Sequence, residues 1–280
     1  MGITASWNQA ASDGVAPPEL TPHCESKGVY LLCEMNYDAF EQQYNQTQLD
    51  RIKTSLEQIR QAEATPGRVI PDENALVIGD GRRLGMAIMF LDICSFSARL
   101  LETEVEQRMM MKALNLFFTE MVRIAEDYGG TVEKNTGDGL MAYFEDNGGD
   151  PPTSGSKRAV SCGLTMFRAA TNFVNPVLRA SNVQEMQFRI GIDHGNVTIA
   201  KLGAARRFNS LVAVGTAANV ASKMLQFARP SEMIIGDTVK KDLPILRHQY
   251  AQALSEASGW IYRATGQPYP FYRYVGRWTA

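Results

Sequence analysis

Two aspartates set against apolar runs constrain this chain more than any other feature of it. Asp92 closes the run Met86-Ala-Ile-Met-Phe-Leu-Asp92 and is followed by Ile93-Cys94-Ser95-Phe96-Ser97. Asp138 lies in Val132-Glu-Lys134-Asn-Thr-Gly137-Asp138-Gly139-Leu-Met-Ala-Tyr-Phe144. The first run has the length and residue types of a buried strand. Asp-Gly between two such runs predicts a hairpin. A carboxylate beside apolar sequence is costly unless it is paired. A divalent cation with hard oxygen ligands, Mg²⁺ or Mn²⁺, is the partner those two acids suit.

Around this pair, strand and helix patterns alternate. A helix is predicted from about Glu104 to Tyr128, stopped by Gly129-Gly130. Strands are predicted at Thr131–Asn135 and Leu140–Phe144, then a loop over 147–156. A helix follows to about Val174, ahead of Pro176. Strands at Met186–Ile192 and Val197–Leu202 and a helix over Ala217–Phe227 come next. Hairpins inside this alternation argue for an α+β fold rather than a purely parallel sheet.

Ala64-Thr-Pro-Gly-Arg-Val-Ile-Pro71 punctuates a boundary. Residues 1–80 therefore read as an N-terminal extension and 81–280 as the main domain. The extension begins with an aperiodic stretch, residues 1–20, expected to be disordered. It carries one amphipathic helix over 36–62, with an apolar seam of Leu49, Ile52, Leu56 and Ile59. That seam suits either packing on its own domain or dimerisation.

Charge and cysteine usage exclude several classes. The net charge of −2 gives no reason to expect a nucleic-acid partner. No stretch approaches the ~20 apolar residues of a membrane span, and no secretory leader pattern opens the chain. Cys24, Cys33, Cys94 and Cys162 show no C-x-x-C spacing, and His23, His194 and His248 are scattered, so nothing argues for a zinc site. A cytoplasmic, thiol-reduced protein is expected.

Four motifs occur in order: Phe90-Leu-Asp92-Ile93-x-x-Phe96-Ser97, Lys134-x-x-Gly137-Asp138-Gly139, Arg189-Ile-Gly-Ile-x-His194-Gly195-x-Val197, and Val214-Gly215-x-x-x-Asn219-Val-Ala-Ser-Lys223-Met. Together they resemble the class III nucleotide cyclase catalytic domain over about residues 82–276. The resemblance implies a ferredoxin-like, palm-type catalytic domain. It implies attack of a ribose 3′-hydroxyl on the α-phosphate of a nucleoside triphosphate, with two divalent cations, Mn²⁺ or Mg²⁺. Asp92, Asp138 and the Ile93 carbonyl would hold the metals. The amides of Cys94, Ser95, Phe96 and Ser97 would cradle phosphates if a helix begins there. Asn219 and Lys223, four apart on one helix face, would orient the ribose and stabilise charge on the α-phosphate. The family usually has Arg at the position of Lys223, so charge is kept but two-donor geometry is lost. The two halves of such a site come from different protomers, which implies a homodimer with two equivalent sites.

By the same resemblance, Lys134 and Val212 stand at the positions that read the base. Val212 offers no acceptor for an exocyclic amine, whereas Lys134 can donate to uracil O4. An unpaired buried donor costs about 1–3 kcal/mol. Uracil therefore fits best, adenine second, cytosine and guanine worse. The segment Glu133–Phe144 also resembles the pyrimidine cyclases of the bacterial Pycsar anti-phage system. That implies conversion of UTP to cyclic UMP as a signal for a separate effector, with a cytidylate cyclase or a divergent adenylate cyclase as alternatives. A catalytically inactive nucleotide-binding module is the reading from another class. Two metal carboxylates with Asn219 and a cation at 223 argue against it. Two basic positions of the family are missing, at Asn196 and at Ala264-Thr265-Gly266. Lys201, Arg206, Arg207 or Arg263 would have to substitute.

Overall fold

The computed structural model describes residues 64–66, 80–99, 101–135, 138–146, 154–205 and 208–277. The stretch 1–20, the seam of Leu49, Ile52, Leu56 and Ile59, and Arg206 and Arg207 lie outside the described residues. The strands are β1 (Ala64–Pro66), β2 (Gly81–Ile93), β3 (Thr131–Asn135), β4 (Gly139–Glu145), β5 (Phe188–Ala205), β6 (Phe208–Val214), β7 (Met233–Gly236), β8 (Ala251–Ala253) and β9 (Phe271–Tyr274). The α-helices are α1 (Glu104–Asp127), α2 (Gly155–Ala169), α3 (Asn175–Ala180), α4 (Thr216–Met224) and α5 (Asp237–Asp242). The result is α+β, as the alternation with hairpins predicts.

Among the described residues the strands join one sheet in the order β3-β4-β2-β5-β7-β9-β8, with β1 paired to β2 and β6 to β5. The central pair is the antiparallel β2–β5 ladder, running from Gly81 opposite Ala200 to Ile93 opposite Phe188. Side chains alternate across a strand, so β2 serves two cores. Ala87, Met89, Leu91 and Ile93 face α1 and α2, where they meet residues such as Phe117, Met121, Val160 and Met166. Leu84, Met86 and Ile88 face α4 and its Ala217, Ala218 and Ala221. Burial on both faces explains why this strand reads as a nearly unbroken apolar run.

Local chemistry sets the helix ends. Thr103 and Glu106 form a reciprocal capping box at the start of α1. Gly129, with φ 67°, takes the left-handed conformation after its end. Gly191 of β5 has a different task. A Cβ there would run into the Ala221 carbonyl oxygen, so its bare backbone lets α4 lie close on the sheet.

Three expectations change. The segment read as punctuation contributes β1, which pairs in parallel with Gly81–Arg83 of β2. Pro176 does not stop the second helix. A π-helical turn, Ala170–Val174, leads directly into α3, and Pro176 sits in the first turn of α3, where its missing N–H costs nothing. The two strands predicted at 186–192 and 197–202 are one strand, β5. Gly195 and Asn196 pair with Met86 and Gly85 and so continue the ladder instead of turning.

Candidate active site

Asp92 and Asp138 meet at one end of the sheet. Asp92 is the penultimate residue of β2 and lies opposite Gly139, the first residue of β4. The Ile93 amide donates to the Asp138 carbonyl oxygen at 2.9 Å, which fixes the hairpin against the end of β2. By alternation, Asp92 shares the face of Ile88 and Phe90, the face that α4 covers.

The residue that holds Asp92 has no role in the motif reading above. Arg189 lies directly opposite it across the β2–β5 ladder. Its Nε and Nη2 both donate to Asp92 Oδ2, at 3.0 and 2.8 Å. The two side chains keep 24% and 33% of their exposure, Asp92 and Arg189 respectively, so the pair is only partly screened by water. Both donors converge on Oδ2 and leave Oδ1 without a contact to Arg189. Asp92 near the end of β2 and Asp138 just before β4 carry hard oxygen donors of the kind a divalent cation takes. Arg189 was visible as a motif residue, but only the strand register shows what it touches.

The segment expected to cradle phosphates, Cys94–Ser97, does not open the long helix. The Cys94 amide donates to the Gln187 carbonyl oxygen at 2.8 Å, so it is committed to the sheet and leaves the proposed set. Ser95 adopts φ 55°, and Phe96–Ala98 form a single 3₁₀ turn, well before α1 begins at Glu104. Ser95, Phe96 and Ser97 remain as candidate donors. The half-buried Cys94 thiol is pushed up from its ordinary value by desolvation, with Arg189 opposing and Asp92 reinforcing the shift.

Asn219 and Lys223 both lie on α4 and both are exposed, while Ala217, Ala218, Val220, Ala221 and Met224 are buried. The two candidates thus share the outward face. Lys223 Nζ sits 5.3 Å from the centroid of the Trp260 ring, a cation–π contact that no sequence pattern announced. Within one protomer these two side chains face solvent rather than the sheet.

The base-reading positions lie on different strands. Lys134 pairs with Met141 in the β3–β4 ladder, just past a register shift after Val132. Val212 is partly buried on β6 and pairs with Ala200. Of the candidate substitutes for the missing basic residues, Arg263 is exposed and Lys201 partly buried, while Asn196 is exposed.

Comparisons with known proteins bear on the domain as a whole. The family profile for the adenylate and guanylate cyclase catalytic domain matches residues 82–258. A uridylate cyclase from Rhodovulum sp. (strain MB263) is 25% identical over 184 residues, covering 62% of this chain and 73% of the relative. A uridylate cyclase from Burkholderia cepacia is 30% identical over 120 residues, covering 42% of this chain and 49% of that protein, so the match spans about half of its length. The crystal structure of the adenylyl cyclase CyaB from P. aeruginosa superposes with a TM-score of 0.54 at 26% identity, covering 71% of this chain and 97% of that one. The guanylyl cyclase Cya2 gives 0.57 at 22% identity, covering 71% and 95%, a likeness of fold alone.

Proposed function

Since this chain belongs to the adenylate and guanylate cyclase catalytic-domain family, we propose that it converts UTP to 3′,5′-cyclic UMP and pyrophosphate. The observation that carries the choice of base is Val212. By the family resemblance Val212 takes the position of the acceptor for adenine's amine, and its side chain is aliphatic and partly buried. Lys134 then supplies a donor that uracil O4 can accept. The names of the Rhodovulum and B. cepacia relatives support the same base.

In this reading Asp92, Asp138 and the Ile93 carbonyl hold two divalent cations, Mn²⁺ or Mg²⁺. When bound, these ions neutralise the triphosphate and favour the attacking oxyanion. Arg189 fixes the Asp92 carboxylate through Oδ2, so its other oxygen keeps one direction. The amides of Ser95, Phe96 and Ser97 orient phosphate oxygens. Asn219 and Lys223 of a second copy face the aspartate pair, with Asn219 orienting the ribose and Lys223 stabilising charge on the α-phosphate. Their outward direction on α4 supports a site shared between two chains. Among the described residues no helix is long and apolar enough to cross a membrane. We place the product in anti-phage signalling through a separate effector protein, and the enzyme in the cytoplasm.

The test is to incubate the purified chain with Mn²⁺ and ATP, GTP, CTP or UTP separately, reading products by mass spectrometry. Cyclic UMP as the main product is expected. Cyclic AMP or cyclic CMP as the main product overturns the base assignment. Asp92→Ala and Asn219→Ala chains should each be inactive and should regain part of the activity when mixed. Failure to complement, with the wild type active, overturns the shared site.

A further inference from the structure

A second group of metal-ligating side chains stands at the other end of the sheet. Among the described residues, Asp146, His194 and Asp242 each offer one ligand atom, and these atoms all lie within 4.8 Å of one another. We propose that these three side chains form a second divalent-cation site, for a first-row transition ion such as Zn²⁺ or Mn²⁺, separate from Asp92 and Asp138.

The three come from different elements, and each is held independently. Asp146 follows β4, and its amide donates to the Gly85 carbonyl oxygen at 3.0 Å. Its Oδ1 accepts from the Gly155 amide at 2.9 Å, which leaves Oδ2 turned to His194 Nε2 at 2.7 Å. His194 is a β5 residue opposite Ala87. Asp242 ends α5, one helical turn after Thr238, so the two share a face. Thr238 Oγ1 donates to the His194 carbonyl oxygen at 2.9 Å and thereby presses that face of α5 against β5. Ser154, the N-cap of α2, donates its hydroxyl to Asp242 Oδ2. Asp146 after β4, His194 of β5 and Asp242 of α5 are thus gathered, with the start of α2 held to Asp242 by Ser154.

Acidic groups outnumber basic ones around His194. His194 is surrounded by Asp146 and Asp242, with Asp193 buried behind them. Arg158 donates to the carbonyl oxygens of Tyr128, Gly129 and Glu145 and offsets part of the Asp146 charge. Two carboxylates held this close repel each other unless positive charge sits between them, and beyond the Asp146–His194 pair a bound cation would supply it. One imidazole nitrogen with two carboxylate oxygens matches the ligand preferences of Zn²⁺ and Mn²⁺ better than those of Ca²⁺ or Mg²⁺. His194 pairs with Ala87 and Arg189 with Asp92, five residues along the ladder. At ~3.3 Å per residue the two sites are about 16 Å apart. An ion here would fasten α5 and the start of α2 to the β4–β5 end of the sheet, without touching substrate.

The site is tested in the full-length Asp92→Asn/Asp138→Asn double variant, stripped of metal and titrated with Co²⁺ as a spectroscopic probe and with Zn²⁺. One equivalent of Co²⁺ with visible ligand-field absorption is expected, together with a rise in melting temperature on adding Zn²⁺. Adding Asp242→Asn or His194→Gln should weaken binding by roughly tenfold or more and remove the thermal shift. Unchanged binding in both overturns the proposal, as does binding weaker than millimolar in the double variant. Should the double variant fail to fold, His194→Gln/Asp242→Asn in the otherwise natural chain must lose one bound equivalent. Unchanged stoichiometry there overturns the site. None of these readouts depends on cyclase turnover.

Discussion

The Arg189–Asp92 pair makes the most exacting prediction, because its geometry sets a magnitude. Two donors reach one carboxylate oxygen at 2.8 and 3.0 Å. Unit charges at ~3 Å attract by about 5 kcal/mol at an effective dielectric near 20. Most of that is offset by desolvating both groups. The pair retains a quarter to a third of its exposure, so it falls between a surface bridge and a buried one. A net coupling of about 1–2 kcal/mol follows. Arg189→Met should therefore cost about 2 kcal/mol without metal, or roughly 4–8 °C in melting temperature for a domain of this size. The decisive assay is a double-mutant cycle of Arg189→Met and Asp92→Asn by urea denaturation in metal-free buffer. Coupling of about 1–2 kcal/mol is expected, and additivity within ~0.5 kcal/mol refutes the pairing. Arg189→Lys should recover only part of the coupling, since a point charge replaces the two-donor fork.

Two further outcomes concern the frame that carries the site. Burial raises the Asp237 carboxyl, but hydrogen bonds from Lys241, Tyr262 and Tyr272 and the Lys241 charge outweigh it, so the net shift is below the ordinary value of 3.8. A depressed carboxylate adds stability above its unfolded pKa and loses it as pH falls through the folded one. The melting difference between wild type and Asp237→Asn should thus be constant between about pH 5 and 7 and close below about pH 4; a difference independent of pH counts against this. Gly191→Ala should destabilise the chain by about 1–3 kcal/mol, because a backbone oxygen cannot yield as a side chain would. It should also reduce turnover by moving α4. An unchanged urea midpoint would show that α4 does not lie as close to β5 as described.

What the sequence determined by itself was local. The apolar run before Asp92, the Gly137-Asp138-Gly139 turn, the Gly129-Gly130 stop of the 104–128 helix and the Asn219/Lys223 spacing are each local, so strand, hairpin and helix follow from short-range patterning. Pro176 and the Gly195-Asn196 step misled for the same reason. Each is a local breaker signal that tertiary pairing overrode, by offering Pro176 a helix start and Gly195-Asn196 a ladder partner. Decisions between distant residues belonged to the tertiary structure. It set Arg189 against Asp92 across 97 residues of sequence. It committed the Cys94 amide to Gln187 and brought Asp146, His194 and Asp242 around one point. A one-residue slip in the β2–β5 register would turn Arg189 to the opposite face. That register is fixed by two cores packed on the sheet at once, and no pattern within a single element records it.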